Sequence, residues 1–109
     1  MVNRSALIVR PKQPFLDWAM RLDDSGLVPS IDDEQTVYLI PEYDDDDHAA
    51  EILKLVFAEV FERELFEWHT DEAAWPKDRT FALFREWFDV EFHSVVEDLC
   101  DFEITDDEA

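Results

Sequence analysis

A small two-layer α+β domain is the fold class this sequence predicts. Its order is β-α-β-α-α-β, with a short two- or three-stranded sheet covered by helices. Three observations lead there. Asp46–Trp68 (DDHAAEILKLVFAEVFERELFEW) has the length and apolar spacing of a long amphipathic helix. Ser5–Val9 and Thr36–Ile40 are short runs of strand composition, with a helix-like stretch between them. Phe88, Val90 and Phe92 alternate with Asp89, Glu91 and His93, which is the period of a third strand. The alternative is a mainly helical domain with a two-stranded sheet, and it turns on residues 88–99.

Taken in order, Ala6, Leu7, Ile8 and Val9 form an apolar run that Arg10-Pro11 closes. Gln13-Pro14 opens a helix, because proline suits the first helical position. Phe15, Trp18, Ala19 and Leu22 make its apolar face, widened by Leu16 and Met20. Gly26, the only glycine, suits a left-handed cap after that helix. Leu27–Gln35 reads as a polar connection. TVYLI at Thr36–Ile40 is the clearest strand, and Pro41 stops it. Strand, helix and strand together have the look of a βαβ unit, so a parallel pair with a right-handed crossover is expected.

The long helix starts in Asp44–Asp47, whose side chains can accept from unpaired N–H groups and complement the helix dipole. At about 100° per residue, Ala49, Ile52, Leu53, Val56, Phe57, Val60 and Phe61 share one broad arc. Glu51, Glu59 and Glu62 lie opposite, and Leu55 and Phe66 break the pattern. Thr70 is a cap for residues 71–74, and Trp75-Pro76 ends that piece. Asp78 or Thr80 caps a further helix from Phe81 to at least Trp87. From there Phe81, Phe84, Phe88, Phe92, Val95 and Leu99 also recur at helical spacing, which would give one helix from Thr80 to Cys100. A strand over Phe88–Val96 is preferred, since a lone two-stranded sheet is marginal in water. The acidic tail from about residue 101 is expected to fray.

With 109 residues, one domain spanning 1–109 is expected. A chain that is 47% hydrophobic and 14% aromatic can fill a core despite its charge. The net charge of −20 is uneven. Residues 1–40 carry 4 basic and 6 acidic side chains, net −2; residues 41–109 carry 5 and 23, net −18. Such a field repels nucleic acid and anionic membranes and favours basic partners. One cysteine, Cys100, excludes an internal disulfide and a paired-cysteine metal knuckle, and it reads as a small buried hydrophobe. Met1–Val9 lacks the apolar region of a signal peptide, and no run reaches the length of a membrane span. A cytoplasmic location is therefore expected.

Familiar site patterns are missing: no glycine-rich phosphate loop, no HExxH, no GxSxG, and no calcium-loop spacing in Asp44–Asp47. No catalytic residue, cofactor or metal is assigned. The candidate partner-binding face is Asp44, Asp45, Asp46, Asp47, Glu51, Glu59, Glu62 and Glu67, supplemented by residues 97–108. Carboxylates three or four residues apart on a helix stand about 5–6 Å apart. Rows of them can imitate the phosphate track of a duplex, which carries one charge per roughly 1.7 Å. The bland reading is a solvated face that confers solubility.

The stretches RPKQPFLDWA, TVYLIPEY and FREWFDVEFHSVVEDL resemble segments of a family of small acidic bacterial proteins of unknown function. That resemblance brings no activity with it. The function expected is a non-enzymatic interaction domain for a basic protein surface, in its sharpest form a nucleic-acid mimic. One alternative is a small metal-binding or hydrolytic protein using His69, Asp71, Glu72 and His93. Another is a homodimer joined through the nearly neutral N-terminal half with Leu55, Phe66 and Trp68, its acidity serving solubility alone.

Overall fold

The computed structural model describes residues 2–22 and 35–105. The Gly26 cap, most of the Leu27–Gln35 connection and the last tail residues lie outside that range. The described elements are β1 (Ser5–Pro11), α1 (Gln13–Leu22), β2 (Thr36–Ile40), α2 (Asp46–Trp68), a 3₁₀ turn (Glu72–Ala74), α3 (Phe81–Trp87) and β3 (Phe88–His93). The mixed α/β architecture is the one the sequence predicts.

The three strands form one sheet in the order β2-β1-β3, and both pairings are antiparallel. Ser5 stands opposite Ile40 and Val9 opposite Thr36; Ala6 stands opposite His93 and Pro11 opposite Phe88. The expected parallel β1–β2 pair is therefore wrong. The reason is the length of the connection. Residues 23–35 follow α1, and each extended residue spans up to about 3.3–3.6 Å. That reach lets the chain enter β2 from either end, so the order strand–helix–strand does not fix direction. An antiparallel sheet can also leave one face uncovered. Leu7, Val9, Ile40 and Phe88 are buried on the helix-covered face. Val37, Leu39, Asp89, Glu91 and His93 are exposed on the other.

The ambiguity after Thr80 resolves into both periods in turn. α3 ends at Trp87 and β3 begins at the next residue, with Phe88 also serving as the α3 C-terminal cap residue. Phe84, Trp87 and Phe88 are all buried, so Phe88 belongs to the helical series behind it and the alternating series ahead of it. The single helix from Thr80 to Cys100, and with it the mainly helical alternative, is excluded. The strand also stops at His93, short of Val96. Lys12 ties the junction to β1: its backbone N–H donates to Trp87 O at 2.7 Å and its Nζ to Arg85 O at 3.1 Å. A cation beside the last carbonyls of a helix suits the dipole.

The core between sheet and helices is largely aromatic. Phe88 lies 5.3 Å from Phe15, 5.4 Å from Phe61 and 5.3 Å from Phe84, ring centre to ring centre, and Trp87 adds contacts to Phe15, Trp18 and Phe61. Such tilted and edge-to-face pairs each add about 0.5–1.5 kcal/mol beyond burial. Three indole N–H groups fasten the helix ends. Trp18 donates to Ala74 O, Trp68 to Ala19 O and Trp75 to His69 O. Met20, expected to widen the α1 face, is exposed, whereas Leu16 is buried.

Cap positions are partly as expected. Thr80 Oγ1 accepts from Leu83 N–H at 3.1 Å, which chooses it over Asp78. Asp71, not Thr70, caps the 3₁₀ turn, accepting from Ala73 N–H at 3.0 Å. An aspartate side chain readily accepts from the amide two residues on, in an Asx turn, and Asp71 stands in that position before Ala73.

Candidate functional site

The acidic surface is built on α2. Asp45 is its N-cap: the backbone is extended and Oδ1 accepts from His48 N–H at 2.8 Å. His48 reciprocates, its Nδ1 accepting from Asp44 N–H at 3.1 Å. Asp46 and Asp47 occupy the first turn, where their charge faces the positive end of the helix dipole. Asp44, Asp45, Asp46 and Asp47 are all exposed. Asp45 thus has a structural duty, and the remaining aspartates extend the charge beyond what the cap requires.

Along the outer side of α2, Glu51, Leu55, Glu59, Glu62 and Phe66 follow one another at spacings of three and four. Of the predicted apolar arc, Ala49, Ile52, Leu53, Val60 and Phe61 are buried and Val56 and Phe57 half-buried, and Leu65 extends the buried side. Leu55 is 84% exposed and Phe66 56% exposed. Two of the carboxylates have cationic neighbours. Arg63 bonds Glu59 at 3.1 Å one turn away, and Arg79 bonds Glu62 at 3.2 Å while its guanidinium sits 5.8 Å from the centre of the Trp75 ring. Exposed pairs of this kind contribute only about 0.2–1 kcal/mol, so a partner's cations can displace them.

Glu67, the last predicted acid, lies near the C-terminal end of α2 and lines a cleft of about 970 Å³. The walls are β2, the flank of α2 carrying Glu59, Glu62, Arg63 and Phe66, and the segment holding Glu72 and Trp75. A second hollow, of about 230 Å³, continues along β2 past Leu39 to Pro41 and shares Tyr38, Glu59 and Arg63 with the first. Neither is lined by β1, so both open on the side of β2 that faces away from the sheet. Among the described residues no strand pairs with that edge.

One buried acid that bonds the β2 residues of the cleft was not singled out from the sequence. Glu64 is buried, 6% exposed, and one of its oxygens accepts from Thr36 Oγ1 at 3.0 Å and Tyr38 OH at 2.7 Å. It fixes α2 against β2. Burial, together with the neighbouring Glu64 charge, holds the Tyr38 phenol far above its ordinary value. The signal was present: four residues beyond Val60 and three beyond Phe61, Glu64 sits inside the apolar arc. A carboxylate there demands hydroxyl or cationic partners.

The alternative set does not form a metal centre in the described structure. His69 is the α2 C-cap, with its N–H donating to Leu65 O and its carbonyl accepting from Trp75. Asp71 caps the 3₁₀ turn. His93, on β3, bonds Glu91, which also meets Arg10 at 3.5 Å. The His93 bond, with the Arg10 charge beside it, holds the Glu91 carboxyl below the usual range. Among the described residues no three His, Cys, Asp or Glu side chains are grouped so as to hold a metal ion. Cys100 is exposed, not buried as expected, because the chain has left the sheet at His93 and carries its apolar residues outward. Among the described residues no helix is long and apolar enough to cross a membrane. Comparison with protein-family models, curated proteins and solved structures finds no match.

Proposed function

We propose that this protein is a non-enzymatic interaction domain that engages a basic protein surface, such as that of a nucleic-acid-binding protein, through the acidic side of α2. The observation that carries the reading is the outer stripe of α2. Solubility alone calls for carboxylates; it does not call for Leu55 and Phe66 standing exposed among Glu51, Glu59 and Glu62. A surface that mixes anions with exposed apolar groups suits a partner that presents cations around an apolar contact. Asp44, Asp46 and Asp47 extend the field at one end of the helix and Glu67 at the other. Repeated carboxylates at helical spacing give such a partner the charge density it would meet on a nucleic acid.

The test is affinity capture from native lysate at low and physiological salt, beside an unfolded chain of the same composition. The folded protein is expected to retain a discrete partner at low salt that the control does not, and to release it as ionic strength rises. Identical captures by the two would contradict the reading.

A further inference from the structure

The outer edge of β2, beside the acid-walled cleft, is a place where a strand can be added. We propose that it takes an extended basic segment of the partner as a fourth strand, a proposal that rests on the interaction reading above and names its occupant. Among the described residues Thr36–Ile40 is an edge strand, and an edge presents backbone donors and acceptors in a row. Extended peptides commonly bind by completing such an edge, with alternate side chains read by the flanking surfaces.

The two flanks here differ. On the helix-covered side the incoming strand would lie over Glu59, Glu62, Glu67 and Glu72. On the open side it would lie beside Val37, 60% exposed, and Leu39, 49% exposed. A matching segment therefore alternates lysine or arginine with β-branched apolar residues. Glu59, Glu62, Glu67 and Glu72 line the cleft with Arg63, and although Arg63 pairs with Glu59 and Arg79 with Glu62, the net charge of its walls stays negative. The same charge argues against a second copy of this chain as the occupant. Pairing β2 with its own symmetry mate would bring two sets of these carboxylates together, and like charges so placed repel.

The probe is a short capped peptide alternating lysine with valine, added to the intact protein at low salt, with binding followed by the amide resonances of Thr36–Ile40. The expected result is saturable binding with shifts and hydrogen-exchange protection concentrated in β2. N-methylation of alternate backbone nitrogens, which keeps the charge and blocks pairing, should weaken binding about tenfold. The joint substitution Glu59→Gln, Glu62→Gln and Glu72→Gln should weaken it as well. If the N-methylated peptide binds equally, strand addition is wrong while the basic-partner reading stands. If neither peptide binds, both fall. Protection of β2 that depends on protein concentration without peptide would overturn the proposal in favour of self-pairing.

Discussion

Glu64 ties α2 to β2: its carboxylate accepts from the hydroxyls of Thr36 and Tyr38, two residues that line the cleft. Glu64→Ala removes a charge-assisted acceptor and should cost about 1.5–3 kcal/mol of stability, measured by urea unfolding. Glu64→Gln keeps an acceptor and should cost less; equal losses would show that packing, not the hydrogen bonds, matters at this position. Tyr38 gives a pH signature. Its phenol ionises later in the folded than in the unfolded chain, where the ordinary value is 10.0. The unfolded chain therefore releases its proton first, and the stability held by protonated Tyr38 is complete below that value and declines as pH rises beyond it. Tyr38→Phe should flatten the alkaline decline in unfolding midpoint. An unchanged slope would contradict the assignment.

At the scale of the element, α2 separates structural from functional charge. Asp45→Ala should cost about 1 kcal/mol by removing the cap that receives His48 N–H. Asp46→Asn, in the same run but without the capping bond, should cost markedly less in thermal unfolding. Comparable losses would show that the whole run is structural. The elements themselves were largely legible in the sequence. α2 announced its start, because aspartates precede the apolar arc, and its observed span is the expected Asp46–Trp68. TVYLI could hardly be anything but a strand. What was hidden depends on distant partners. The direction of β2 depends on how the chain returns after α1, which local composition does not encode. The α3–β3 junction was obscured because Phe88 satisfies a helical and a strand period at once. Cys100 was misplaced because Val95 and Leu99 look like core, yet the strand ends at His93 and both residues are exposed. The acidic residues were readable as exposed, but the cleft was not, since it exists only where α2 and β2 meet.

At the scale of the molecule, and among the described residues, the helices lie on one face of the sheet and no strand pairs with the outer edge of β2. The near-neutral N-terminal half supplies β1 and α1, and the strongly acidic remainder supplies α2, α3 and β3. Carboxylates are also exposed on α1, α3, β3 and the segment after it, so net charge alone cannot distinguish a binding face from a solubilising one. Location can. The deciding measurement compares two variants of equal net charge in the same low-salt capture. One converts Asp44, Asp46, Asp47, Glu51, Glu59, Glu62 and Glu67 to amides. The other converts Asp17, Asp23, Asp24, Asp78, Glu86, Asp89 and Glu91, none of them in α2 or the acidic tail. Partner recovery is expected to disappear with the first and persist with the second; equal loss from both would show that the acidity acts through its total and not through α2.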